Sequence, residues 1–229
     1  MKHKSEIVLK TGERCLLRSL HVGDAREALA VCKKAAEETR NLIRYADEWT
    51  MTEEEEAAFI KRQEDDPNAL MLGAFLSGRL VAIASFAPRA SVSRVRHRAE
   101  LGVMVLKSCW GKGIATALIE ALLERIQDTP FEQLELEVVA ENERAIRMYK
   151  RFGFIEFARH PRKLKYRDGM YADMILMMLE LEVVADNVRA RRLYEHFGFC
   201  EFARHPRKLK YRDGTYADII LMMRDLKRA

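Results

Sequence analysis

The chain repeats itself. Residues 134–178 read LELEVVAENERAIRMYKRFGFIEFARHPRKLKYRDGMYADMILMM, and residues 179–223 follow at an offset of 45 with 36 of 45 positions identical. Any fold must therefore house one strand- and helix-forming pattern twice in succession. Two copies are too few for a solenoid, which needs about three stacked units to bury its faces. Removing one copy leaves 184 of the 229 residues, the size of an ordinary domain. The sequence thus predicts one domain over residues 1–178 and a second copy of its C-terminal unit over residues 179–229.

The junction between the copies, Tyr171–Val184, reads YADMILMMLELEVV, with no Gly, Pro or turn cluster. As a single strand it would extend about 46 Å at roughly 3.3 Å per residue, whereas typical strands hold about six residues. Either this strand bridges two sheets or the chain breaks without a residue that breaks it. A bridging strand without a hinge favours exchange of segments between protomers, so a homodimer built that way is expected.

Composition narrows the class. At 48% hydrophobic and 33% charged residues, the chain is neither disordered nor collagen-like. No run approaches the roughly 18 apolar residues of a membrane span, and residues 1–10 lack a signal-peptide core. A cytoplasmic location without membrane contact is expected. The net charge of +5 suits an anionic small ligand and does not by itself call for nucleic acid. Cys15, Cys32, Cys109 and Cys200 match no zinc or redox spacing, and no histidine pair has ligand spacing. No metal site is expected.

Local signals alternate strand and helix. Residues 7–17 read as strand, turn, strand. Asp24-x-x-Glu27 and Thr52-x-x-Glu55 are capping boxes for helices reaching about Arg40 and Asp65. The acidic run from Glu53 to Glu56 fits a helix start, where the dipole favours carboxylates. Apolar runs at residues 69–75 and 80–86 flank Ser77-Gly78 as a hairpin, and residues 99–106 form a further strand. Gly111 and Gly113 open a helix with Ile114, Leu118, Ala121, Leu122 and Ile126 at helical spacing. A strand over residues 134–139 and a helix from Glu143 to Phe152 follow, stopped by Gly153. Strands at residues 155–158 and 171–178 complete the first copy. The pattern predicts a mixed α/β sheet covered by helices.

The segment Trp110-Gly111-Lys112-Gly113-Ile114-Ala115 carries the chemistry. Two glycines bring the backbone close to a ligand, and the unpaired amides of a helix start bind phosphate oxygens. Neither the dinucleotide fingerprint nor the Walker pattern fits. The alternative is a glycine-lined turn with no ligand.

This segment resembles the signature [RQ]-x-x-G-x-[GA] of the GNAT family of N-acetyltransferases, with Trp110 in place of Arg or Gln. A second match runs from Leu136-Glu137-Val138 through Asn142, Ala145 and Tyr149 to Phe152-Gly153-Phe154. The resemblance extends over the whole 184-residue equivalent. It implies a mixed, mostly antiparallel GNAT sheet flanked by helices, here with a duplicated C-terminal βαββ unit. It also implies acetyl-CoA as acetyl donor and a small-molecule or peptide amine as acceptor.

By that resemblance, Val103, Met104 and Val105 pair main-chain groups with the pantetheine arm. An amide near Met104 or Val105 polarises the thioester carbonyl. The segment of Gly111, Lys112, Gly113, Ile114, Ala115 and Thr116 holds the diphosphate through its amides, and position 110 contributes mainly its own amide. Asn142 touches the cofactor or simply caps a helix. Tyr149 protonates the departing thiolate or fills the core. Glu137 and then Glu100 are candidates to take the amine proton; Glu137 shares a strand face with Glu135, and the plain reading is a solvated pair. Cys109 has no activating histidine and is not a nucleophile.

The second copy keeps Glu182, Asn187, Tyr194 and Gly198, and chain connection favours the first copy for the site. Arg191 and Glu195 sit at ion-pair spacing. Two other readings remain: a GNAT-fold binding or regulatory module without turnover, and a nucleic-acid patch on the basic run at residues 159–167. A solvated hairpin is the plainer reading of that run.

Overall fold

The structure is a computed structural model. It describes residues 2–224 apart from 90–91, 187, 189–190, 193–194, 196–198 and 212–213. The chain divides into two compact units, Met1–Thr129 and Pro130–Ala229.

In the first unit, five strands form an antiparallel sheet in chain order. They are β1 (Lys4–Val8), β2 (Arg14–Ser19), β3 (Leu70–Leu76), β4 (Arg79–Pro88) and β5 (Arg98–Val105). The expected Ser77-Gly78 hairpin is present, with both residues at positive φ, 49° and 80°. Helices α1 (Ala25–Glu38) and α2 (Glu53–Asp65) cover the sheet through Ala28, Val31, Cys32 and Ile60, packed on Leu20, Phe75, Leu80 and Ile83. Helix α3 (Ile114–Arg125) packs on β3, β4 and β5 and buries Ile114, Leu118, Ile119 and Leu122 almost completely. Each such side chain contributes about 1.5–3 kcal/mol of transfer free energy, which anchors the start of α3 on the sheet.

One capping box forms as expected. Thr52 accepts from the Glu55 amide, and Glu55 accepts from the Thr52 amide. The other does not. Asp24 makes no side-chain cap to α1, because Arg18 binds its carboxylate at 2.6 and 2.7 Å and the His21 amide adds a third bond. The box sits one turn earlier, between His21 and Asp24. Glu27 instead accepts from the Leu80 amide at 3.0 Å. The acidic run Glu53 to Glu56 forms the first turn of α2 as expected, and Glu56 is in addition 3% exposed, so that burial pushes its carboxyl up.

The second unit contains β6 (Gln133–Val139), α4 (Glu143–Arg151), β7 (Phe154–Lys165), β8 (Tyr171–Val184), β9 (Phe199–Lys210) and β10 (Tyr216–Arg224). The junction does not break: β8 runs through all fourteen of its residues. Its first part pairs with β6 and β7, and residues Glu180 to Val184 pair with β10. The repeated sequence takes one register twice. Glu135 faces Met178 and Glu180 faces Met223; Phe154 faces Leu179 and Phe199 faces Arg224.

Strand β7 is far longer than the expected residues 155–158, and it carries the basic run. Among the described residues β7 pairs only with β8, and β9 only with β10. Pro161 and Pro206 are tolerated there because an edge strand has backbone groups without a ladder partner. Lys and Arg on such an edge discourage pairing with other chains. A bulge between His160 and Leu164 turns Arg162 to φ 51°, and its amide donates to Asp173 at 2.9 Å. Arg159 pairs with Glu156 and Asp173, and Lys163 with Glu137. The run is thus neutralised in part by its own strands.

Candidate active site

The cradle is assembled from β5, the glycine turn and α3. Alternation along an antiparallel pair decides which way each β5 residue presents its backbone. The Leu106 amide donates to Val81 O at 3.0 Å, and Arg98 O accepts from the Arg89 amide at 3.0 Å, so even-numbered β5 residues bond to β4. Met104 therefore faces Ile83, its register partner. The amides and carbonyls of Val103 and Val105 point away from β4. Of the two amides expected near the thioester, that of Val105 points away from β4 and that of Met104 toward it; the Met104 side chain packs on the α1 core.

Beyond β5 the chain makes a 3₁₀ turn over Lys107–Cys109 and reaches Gly111 at φ 84° and Gly113 at φ 95°. Both lie in the left-handed region, where a Cβ is strained. A Cβ at Gly113 would meet nothing closer than Lys10 Cγ at 3.9 Å, so conformation and not space demands glycine there. Gly113 caps α3, and the first bond inside the helix is Ala117 N to Gly113 O at 3.1 Å. The amides of Ile114, Ala115 and Thr116 precede that bond and have no partner within the helix. Ile114 is 1% exposed, and its side chain belongs to the core under α3.

Sequence reasoning missed three neighbours of this turn. The Trp110 indole Nε1–H donates to Val105 O at 2.8 Å, where position 110 was expected to contribute mainly its amide. The Lys112 ammonium pairs with Glu13 at 2.8 Å, and its carbonyl accepts from the Lys10 amide at 3.4 Å. Lys10 and Glu13 belong to the β1–β2 turn, about a hundred positions upstream of Lys112, and no local pattern links them to it. Glu100 stands exposed on β5.

In the second unit, Asn142 caps α4 by accepting from the Ala145 amide at 3.3 Å. That uses the carboxamide oxygen; the NH₂ end is a donor. Tyr149, on the same helix, is 7% exposed and meets Phe154 edge-on with centroids 5.8 Å apart. Burial pushes its phenol up to about 12, so it holds its proton at neutral pH. The Glu137 carboxylate lies 2.6 Å from Lys163 Nζ. Glu135 is 1% exposed, which corrects the solvated-pair reading. Cys109 is buried, as are Cys15 and Cys32. Among the described residues no group of His, Cys, Asp and Glu could hold a metal. Asn187, Tyr194 and Gly198 lie outside the described residues, and Glu182 is described only in its strand. Arg191 lies 3.7 Å from Glu201, not in the pairing expected with Glu195.

Residues 34–154, just over half of the chain, match the Acetyltransferase (GNAT) family. The chain belongs to that family. It is 32% identical over 118 residues to the putative ribosomal N-acetyltransferase YdaF of Bacillus subtilis, covering 49% of this chain and 57% of that protein. This GNAT chain thus spans little more than half the length of that relative. A crystal structure of a GNAT-family acetyltransferase from Streptococcus pneumoniae superposes with a TM-score of 0.69 at 28% identity, covering 72% of this chain and 98% of that one. More than a quarter of this chain has no counterpart there. The putative acetyltransferase yncA of Salmonella typhimurium, solved with its cofactor acetyl-CoA, shares the fold at a TM-score of 0.64 and 20% identity, over 71% of this chain and 91% of that one. The expected architecture, a mostly antiparallel sheet flanked by helices, is that of these neighbours. Among the described residues no helix is long and apolar enough to cross a membrane.

Proposed function

We propose that this chain is a cytoplasmic N-acetyltransferase that moves the acetyl group of acetyl-CoA to a primary amine within a ternary complex. The observation that carries the reading is the cradle itself: two left-handed glycines leading into helix-start amides, beside a strand whose odd residues turn their backbone groups away from β4. The fit is sound for a diphosphate, since fixed N–H donors and a helix dipole favour anionic oxygens.

When bound, acetyl-CoA supplies an activated acyl carbon on a good leaving group. The amides of Gly113 to Thr116 grip its diphosphate. Val103 pairs with the pantetheine arm, and the Val105 amide stabilises the oxyanion that develops as the amine nitrogen adds to the carbonyl carbon. Glu137, steadied by Lys163, takes the amine proton directly or through water, with exposed Glu100 as the alternative. The carbon–sulfur bond then breaks, and Tyr149 gives its proton to the thiolate. The phenol arrives protonated at neutral pH, and burial, by raising it, makes it a weaker donor than a free phenol.

A second reading has one observation in its favour. Tyr149 is buried against Phe154 as a core aromatic would be, which fits a GNAT module that binds without turning over. Thiol release with a panel of amines separates the two. The enzyme reading expects steady turnover that Tyr149→Phe lowers about hundredfold, the usual worth of a general acid, with Tyr194→Phe far milder. Binding of acetyl-CoA without thiol release would leave the module reading standing. Equal effects of the two substitutions would overturn the assignment of the first copy to the site.

A further inference from the structure

Trp110 occupies the signature position where the GNAT pattern has Arg or Gln. These three side chains differ in size, shape and charge, but each carries an N–H donor. Here that donor has a definite target. The indole reaches back five residues to Val105 O at 2.8 Å, a good N–H···O distance. Val105 O lies on the β5 edge facing away from β4, where the ladder to β4 cannot satisfy it.

The bond falls at a mechanical join. Upstream is β5, held by its ladder to β4. Between the two, the turn closes on itself through Cys109 N to Leu106 O at 2.9 Å and Trp110 N to Lys107 O at 3.1 Å. Downstream come Gly111 and Gly113, whose backbones, lacking a Cβ, are little restrained of themselves. Other ties on the turn are weaker: the Lys10–Lys112 backbone bond is long at 3.4 Å, and the Lys112–Glu13 pair is solvent-screened.

We propose that Trp110 is a positioning residue: its indole clamps the glycine turn to the end of β5 and so presets the amides that receive the diphosphate. Without the clamp the turn must be ordered at the moment of binding, and affinity falls by that cost. This inference rests on acetyl-CoA being the donor.

The test uses the full chain with Trp110→Phe, which keeps an aromatic ring and loses the donor, and Trp110→Gln, which keeps a donor. Calorimetry with coenzyme A and steady-state kinetics are read together. Trp110→Phe should raise the Kd for coenzyme A and the KM for acetyl-CoA about five- to tenfold, the worth of one hydrogen bond plus its ordering, with kcat within twofold. Trp110→Gln should return both to within threefold of the parent. Parental affinity in Trp110→Phe overturns the proposal. So does a folded Trp110→Gln that binds as weakly as Trp110→Phe, or a loss that falls on kcat alone. Should Trp110→Phe fail to fold, Trp110→Gln decides: near-parental affinity supports the clamp, and a tenfold loss overturns it. If the parent gives no heat with coenzyme A, the donor reading itself fails, a result distinct from all of these.

Discussion

Asp24 shows how one residue can hold a corner of the first unit. It is buried, yet its carboxylate takes two bonds from Arg18 and one from the His21 amide, while the Arg18 guanidinium lies 4.0 Å above the Phe75 ring. Burial works to raise the Asp24 carboxyl, but the Arg18 and His21 bonds outweigh it and hold it below the usual carboxylate range. A carboxyl lowered on folding stabilises the folded state above its unfolded value of 3.8, and that contribution is lost as pH falls through the lower folded value. Asp24→Asn is therefore expected to cost about 2–3 kcal/mol at pH 7, the penalty of leaving a largely buried guanidinium without its partner. Urea melts of parent and variant at pH 7 and at pH 3 would check it: the gap should narrow in acid. A gap that stays constant would mean the pair contributes shape and not charge. Sequence alone offered Asp24 as a helix cap, because the spacing to Glu27 is that of a capping box; Arg18, six residues back on β2, outcompetes the helix for the carboxylate.

At the scale of elements, apolar periodicity made most of the fold legible. Strands β3, β4, β5 and β6 and helices α1 to α4 fall within a few residues of where alternation and helical spacing place them. Strand β7 does not, because most of its residues are exposed on both faces, so nothing imposes alternation, and a basic, proline-containing run reads as a loop. The cradle was legible for a different reason: left-handed turns demand glycine, and glycine can be seen in a sequence. Its supports were not, since the Trp110 indole bond and the Glu13–Lys112 pair depend on how a loop folds back and on a turn about a hundred positions away. The turn makes its own prediction. Gly113→Ala has room for the methyl group but must hold φ 95°, so it should lose about 1–2 kcal/mol of stability. It should also weaken coenzyme A binding at least tenfold, if relief of the strain moves the helix-start amides. Thermal melts with calorimetry separate the two effects; lost stability with unchanged affinity would remove Gly113 from the cradle.

The whole molecule carries one first unit for two copies of the strand–helix–hairpin sequence. Strand β8 serves both copies: its pairing with β7 ends at Leu179, and its pairing with β10 begins at Glu180. That division has a consequence for where the chain can be cut. Stopping after Leu179 keeps every β6–β8 and β7–β8 pair and removes only the strand pairs made by residues 180–224. If the first copy completes the site, the shortened chain should bind acetyl-CoA within about twofold of the full chain. The second copy, in contrast, repeats Leu134 to Val139 as Leu179 to Val184 without a second first unit in the same chain, and the dimer expected here is one in which protomers exchange that copy. Light scattering should then find the full chain as a dimer and the shortened chain as a monomer. A full chain that stays monomeric at high concentration would rule out exchange and leave the second copy as an appendage on β8. A shortened chain that folds but loses the cofactor would instead move the working site to the second copy, where Glu182, Asn187 and Tyr194 repeat Glu137, Asn142 and Tyr149.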